Sequence, residues 1–192
     1  HTYDDLRIDK HHMMVISPDE GALNRNIYYS SAMGVDMGMF YKRRDYTRVV
    51  NGRNPIVAHE YLGDSVEGKD VFVADDIIAS GDSILDLAYN LKRRKAKRVF
   101  AGATFAFFTS GLEAFDKAYA EGVIDHVFAT NLTYTPQEVL DRPWFSQADM
   151  SKYMAFVIAT LNHDQSLSYL LNPWNRIEKL LTKYRADHPV ED

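Results

Sequence analysis

Apolar and polar positions recur along this chain with two periods, and the switches between them mark out strands and helices. Met13-Met14-Val15-Ile16 is a short apolar run closed by Ser17-Pro18-Asp19, which reads as a buried strand running into a loop. Leu23 to Met33 has helical tendency, with Leu23, Ile27 and Ser31 along one side and Gly34 as its stop. Val35 to Tyr41 reads as a second strand. The basic run Lys42-Arg43-Arg44 then opens a long polar stretch. Asn51-Gly52 marks a tight turn within it, and Ile56 to Leu62 reads as the returning arm of a hairpin.

The centre of the chain is plainer. Val66-Glu67-Gly68-Lys69 is a turn, and Val71-Phe72-Val73-Ala74 is a continuously apolar strand of the kind buried on both faces of a parallel sheet. After Asp75-Asp76-Ile77-Ile78 comes Ala79-Ser80-Gly81-Asp82-Ser83, rich in turn and N-cap residues. A helix follows, with Ile84, Leu87, Ala88 and Leu91 at helical spacing. Lys92 to Lys95 close it, where cations suit the helix dipole. Arg98 to Phe105 is a strand, Leu112 to Ala120 a helix with Leu112, Phe115 and Tyr119 on one face, and His126 to Thr130 another strand. Strands alternating with helices predict an α/β fold, a parallel sheet flanked by helices, with ligands beyond the carboxyl ends of the strands. Ser151 to Leu161 is predicted as an amphipathic helix with Met154, Val157, Ile158 and Leu161 inward. Pro173 starts a last helix with Ile177, Leu180, Leu181 and Tyr184 on its face.

Composition narrows the function classes. At 192 residues the chain holds one sizeable α/β domain, and 46% hydrophobic with 26% charged residues is ordinary for a globular protein. The net charge of -5 argues against a general nucleic-acid binder, which needs a basic face, but leaves room for a small phosphorylated substrate. Without cysteine there is no disulfide, thiolate metal site or cysteine nucleophile, which fits a cytoplasmic enzyme. No apolar run approaches the roughly 20 residues of a membrane helix. The start, His1-Thr2-Tyr3-Asp4-Asp5, has neither a basic region nor an apolar core, so it is no signal peptide. Its lack of Met carries the expectation that the chain begins within a longer protein.

The chemistry concentrates at residues 71–83. A strand delivers two adjacent carboxylates, Asp75 and Asp76, to the edge of the sheet. A loop bearing Ser80, Gly81 and Ser83 then leads straight into a helix, whose first turn offers unpaired N–H groups and partial positive charge. This is a phosphate cradle beside groups able to hold sugar hydroxyls, directly or through Mg2+. Taken alone, the segment fits a plain helix cap equally well. Two carboxylates without a nearby Lys, at the end of an apolar strand, favour a site.

Val71 to Ser83 resembles the signature of type I phosphoribosyltransferases: four apolar residues, two acids, two apolar residues and a hydroxyl-rich loop. Within that superfamily the chain is similar to the ribose-phosphate pyrophosphokinases, in their C-terminal domain. Val15 to Ala22 with Arg25 resembles the family's pyrophosphate loop, Lys42-Arg43-Arg44 the start of its catalytic flexible loop, and Gly63 to Lys69 the turn before the signature strand. Thr130-Asn131, the helix from Ser151 and Ser166-Leu167-Ser168 resemble its C-terminal pattern. The likeness spans about Met13 to Leu171. It implies a linker or the end of a preceding domain at 1–12, a phosphoribosyltransferase-like domain with a flexible hairpin or loop at 13–172, and a terminal helix and tail at 173–192.

The resemblance also implies roles. Asp75 and Asp76 hold ribose hydroxyls, and Ala79, Ser80, Gly81, Asp82 and Ser83 wrap the 5-phosphate. Asp19 helps bind Mg2+, the backbone of Glu20, Gly21 and Ala22 together with Arg25 forms the pyrophosphate loop, and Lys42 and Arg44 close over the reaction. The substrates implied are ribose 5-phosphate and ATP, and the assembly a homo-oligomer. Read singly, Asp19 fits a plain turn residue, and Lys42 and Arg44 fit solvated surface charges. His11 and His12 read as linker residues with no nearby acid, a poor metal site. Three positions depart from the family pattern: Asp82 stands where Gly or Ala is usual, Ala79 replaces a polar residue, and Ala22 replaces a Gly. The segment after Lys42 is longer than usual. The family's N-terminal domain, which supplies a metal-binding His and part of the ATP site, has no counterpart in this sequence. Two alternatives stay open, a nucleobase phosphoribosyltransferase and a catalytically weak regulatory relative.

Overall fold

The computed structural model describes residue 3, residues 5–44 and residues 56–188, except for the side chains of 42–44 and 56–59. In chain order the elements are β1 (Met13–Ser17), α1 (Leu23–Met33), β2 (Asp36–Arg44), β3 (Ile56–Leu62), β4 (Asp70–Ile78) and α2 (Asp82–Arg93). They continue with β5 (Arg98–Ala106), α3 (Glu113–Ala120), β6 (His126–Thr130), α4 (Gln137–Leu140), β7 (Phe145–Ala148), α5 (Ser151–Asn162), α6 (Ser168–Leu171) and α7 (Trp174–Asp187). Among the described residues the strands form one seven-stranded sheet in the order β3-β2-β1-β4-β5-β6-β7. All neighbours run parallel except β2 and β3, which form the expected hairpin.

Two layers of side chains hold the sheet. The larger cluster joins alternate residues of β1, β4, β5 and β6 to Leu87 and Leu91 of α2 and to Phe115 and Ala118 of α3. Trp144 lies fully buried at its end, stacked on Phe115 at 5.2 Å and donating its indole N–H to Asp116 at 2.7 Å. The smaller cluster, on Met13, Val15 and Val35, packs with Tyr29 and Met33 of α1. Burial of each such large apolar side chain contributes roughly 1.5–3 kcal/mol.

Several expectations need correction. α1 does not bury Leu23, Ile27 and Ser31: Ile27 and Ser31 are exposed, and the buried residues are Asn26 and Ser30. The reason is polar, because Asn26 bonds the sheet (below). Lys42 to Arg44 do not open the loop but form the last stretch of β2, with Lys42 opposite His59 and a register shift between Arg43 and Arg44. The loop expected after them, 45–55, lies outside the described residues. β4 runs past Ala74 to Ile78 because β5 accompanies it, pairing Asp75 with Ala103 and Ile77 with Phe105. The edge strand β7 is too short and too polar after Phe145 to carry a periodic signal. α5 does not turn its apolar residues inward: Met154, Ile158 and Leu161 are exposed, and Thr160 is its buried residue. On α7, Ile177, Leu181 and Tyr184 are half-buried while Leu180 is exposed.

The described part of the stretch expected as a linker or the end of a preceding domain lies against the body. Leu6 and Ile8 join the smaller cluster, and Tyr3 sets its ring edge-on to Phe100 at 5.0 Å. α7 closes over it, with Tyr184 donating to the Leu6 carbonyl and Arg185 to those of Ile8 and Met33. His12 has a nearby acid after all, its Nδ1 lying 2.9 Å from Asp9. No helix among the described residues is long and apolar enough to cross a membrane.

At the amino end of the sheet, Arg98 grips the buried Asp70 with two 2.7 Å bonds and reaches Asp5 with a third. These hydrogen bonds raise Arg98 further above its already high range. Removing one partner strands a desolvated charge, so Asp70→Ala is expected to lose about 3 kcal/mol in urea denaturation. A second prediction concerns acid. His126 is buried with Nε2 on Ser146 at 2.7 Å and with Tyr3 and Phe128 against its ring, and its Nδ1 has no partner among the described residues. Burial lowers its pKa below the ordinary value near 6.5. The unfolded chain therefore binds the proton first, so this residue's contribution is intact above about pH 6.5 and declines as pH falls toward the folded value. Denaturation at pH 7 and pH 5 is expected to show a smaller loss for His126→Gln than for the parent.

Candidate functional site

The strand order reverses between β1 and β4. The chain leaving β1 turns through α1 to β2, whereas the chain leaving β4 turns through α2 to β5. Their loops diverge and leave a crevice at the carboxyl ends, where ligands of open α/β sheets bind. Two predicted segments meet there: Ser17 to Ala22 after β1, and Asp75 to Ser83 at the end of β4.

Asn26 fixes the two against each other. The ladder between β1 and β4 ends at Ile16–Val73, so the next residue, Ala74, has no strand beside it there. The buried Asn26 carboxamide takes the strand's place, donating to the Ala74 carbonyl at 2.9 Å and accepting from the Ala74 N–H at 3.3 Å. It also donates to the Ala22 carbonyl at 2.9 Å and lies 3.4 Å from the Ser17 hydroxyl. Sequence reasoning passed over Asn26. The available signal was the small and polar stripe Ala22, Asn26, Ser30 at a spacing of four, which marks a helix face buried by hydrogen bonds rather than by apolar contact.

Around this anchor stand the charges. The Asp19 carboxylate accepts from the Ala22 N–H at 3.1 Å, and the Ser17 hydroxyl donates to the Asp19 carbonyl at 2.8 Å. Ala22 takes a right-handed helical conformation (φ -87°, ψ -1°), so its replacement of a glycine needs no positive φ. Glu20 and Gly21 are exposed in the same loop. Arg25, on the first turn of α1, spans both acids of β4, at 3.4 Å from Asp75 and 3.4 Å from Asp76. Burial pushes the Asp75 carboxyl above the usual carboxylate range, with Asp76 and Asp19 adding repulsion. The more exposed Asp76 is held lower by its hydrogen bond to Asp75 and by Arg25.

The loop from Ala79 to Ser83 has the form expected of a cradle. Ala79, Asp82 and Ser83 are exposed and Ser80 is half-buried. The N–H groups of Ser80, Gly81 and Ser83 have no acceptor among the described residues, and α2 lacks a side-chain cap. Gly81 is required twice over. Its φ of 94° is left-handed, and an added Cβ would overlap the ring of Phe115. Asp82 folds back, accepting from the Ser80 hydroxyl at 2.9 Å. The side chains of Lys42 and Arg44 lie outside the described residues; their backbone ends β2, next to β1. No cluster of three acids or histidines is present among the described residues. Asp19, Asp75 and Asp76 stand at this end of the sheet, and a Mg2+ ion, which needs only one or two carboxylates when phosphate oxygens and water complete its shell, could draw on one of them.

Comparison with known proteins places the fold in a family. Residues 2–133 match the model of the phosphoribosyl transferase domain. The ribose-phosphate pyrophosphokinase of Vibrio cholerae is 34% identical over 160 residues, covering 83% of this chain and 48% of that protein. The one of Mycoplasma pneumoniae is 28% identical over 163 residues, covering 84% and 47%. The chain thus spans about half the length of the curated relatives it matches. Among solved structures, the phosphoribosylpyrophosphate synthetase of Mycobacterium smegmatis superposes with a TM-score of 0.66 at 22% identity, over 84% of this chain and 47% of that one, which supports the same fold.

Asn26→Ala leaves a buried N–H and C=O of Ala74 without these partners. A loss of about 2–4 kcal/mol is expected in chemical denaturation, together with faster hydrogen exchange at the Ala74 amide.

Proposed function

The chain belongs to the phosphoribosyl transferase domain family, and from that premise we propose that it forms the ribose 5-phosphate-binding part of a ribose-phosphate pyrophosphokinase. The observation that carries the reading is the juxtaposition at the crevice of two acids, Asp75 and Asp76, with the acceptor-free amides of Ser80, Gly81 and Ser83. A sugar phosphate presents hydroxyls to the first and phosphate oxygens to the second. The named relatives support the choice of pyrophosphokinase within the family.

In this reading the anomeric hydroxyl of ribose 5-phosphate attacks the β-phosphorus of ATP. The new oxygen–phosphorus bond forms as the bond to the α,β-bridging oxygen breaks, the hydroxyl proton passes to solvent, and AMP leaves. Mg2+ supplies charge neutralisation on the phosphates when bound. Asp75 and Asp76 orient the ribose, and Ala79 to Ser83 hold its 5-phosphate. Asp19 bears on the metal, while Glu20, Gly21, Ala22 and Arg25 meet the pyrophosphate. Lys42 and Arg44 offset charge on the transferred group. Such transfer rests on positioning and electrostatic stabilisation more than on covalent work by the protein. A cytoplasmic homo-oligomer acting on ATP and ribose 5-phosphate completes the proposal, with no nucleic acid or membrane as partner. The Ser80–Asp82 contact favours, as a second reading, a catalytically weak relative that binds the sugar phosphate without efficient turnover.

Asp75→Ala and Asp76→Ala are each expected to weaken ribose 5-phosphate binding about tenfold or more by calorimetry. Lys42→Ala is expected to spare that affinity and to lower AMP formation from ATP, ribose 5-phosphate and Mg2+ in the intact protein. Unchanged affinity in both acid variants would remove the ribose site from where it is proposed.

A further inference from the structure

The loop that faces the ligand carries an anion of its own. Asp82 is the first residue of α2, exposed, and its carboxylate accepts the Ser80 hydroxyl at 2.9 Å. The Ser80 oxygen in turn lies 3.4 Å from the Asp82 N–H. Two donors of the loop are therefore engaged within it, the Ser80 hydroxyl on this carboxylate and the Asp82 amide on the Ser80 oxygen. The loop has little freedom to carry Asp82 away, because Gly81 is wedged against the buried Phe115 ring and held in a left-handed conformation. Arg25 of the same crevice pairs with Asp75 and Asp76.

We propose that Asp82 is an internal competitor for the substrate's phosphate, a built-in anion that lowers the affinity of the cradle for the 5-phosphate and leaves its affinity for the sugar alone. The proposal rests on the reading that residues 79–83 hold that phosphate. A carboxylate in the first turn of a helix is stabilised by the same partial positive charge that attracts a phosphate. It also repels a ligand carrying between one and two negative charges at neutral pH. Binding of a sugar phosphate must move Asp82 off the Ser80 hydroxyl and tolerate a like charge beside it. Binding of the bare sugar at Asp75 and Asp76 requires neither.

The test is calorimetric titration of the intact protein with ribose 5-phosphate and, separately, with ribose, both in Mg2+ buffer, for the parent, Asp82→Asn and Asp82→Gly. Thermal melts confirm folding, and the asparagine form keeps a first-turn acceptor should the glycine form prove unstable. The expected result is ribose 5-phosphate binding at least tenfold tighter in Asp82→Asn, with the affinity for ribose unchanged, and the same direction in Asp82→Gly. Equal ribose 5-phosphate affinities in all three would overturn the proposal while leaving the phosphate site standing. Weaker binding in Asp82→Asn would overturn it too, by making Asp82 a helper of the ligand. If ribose 5-phosphate binds no better than ribose in every form, the cradle itself is wrongly placed and both readings fall.

Discussion

One carboxamide organises the working end of this protein. Where the ladder between β1 and β4 gives out, Asn26 bonds the N–H and the C=O of Ala74 as a strand would have done. It is anchored at the same time to the loop that follows β1. Without such a partner, β4 would emerge from the sheet with bare backbone groups at a buried position. With it, the N–H and C=O of Ala74 are satisfied on the β1 side, and the loop bearing Asp19 is held beside Asp75. Placement of the acids follows from a hydrogen bond inside the fold.

Charge in the crevice is balanced by the protein itself. Arg25 lies across Asp75 and Asp76 and offsets their charge. Asp82 sits in the first turn of α2, at the helix's positive end, with Ser80 as its partner. Burial raises the Asp75 carboxyl, and the nearby Asp76 and Asp19 add repulsion.

The sheet and its helices were largely legible in the sequence, because strands buried on both faces, such as Val71 to Ala74, leave an uninterrupted apolar run. The turn from β4 into α2 was legible for a different reason: Ser80, Gly81 and Ser83 are residue types that a strand-to-helix turn demands. What could not be read were the places where tertiary contact overrides local pattern. Asn26 looks like an indifferent polar residue of a surface helix until Ala74 is beside it. Met154, Ile158 and Leu161 fall at helical spacing, yet no layer of the described fold covers them. The basic run at Lys42 reads as loop by composition but is held in β2 by its pairing with β3. Phe145 to Ala148 becomes a strand only because β6 offers it an open edge.

The seat of Gly81 on Phe115 has a thermodynamic consequence. Phe115 is fully buried and stacked on Trp144, so the turn above it shares the immobility of the interior. A loop of that kind surrenders its conformational freedom once, when the chain folds, rather than each time a ligand arrives. Association with this end of the sheet should consequently show little of the entropic penalty typical of mobile anion-binding loops.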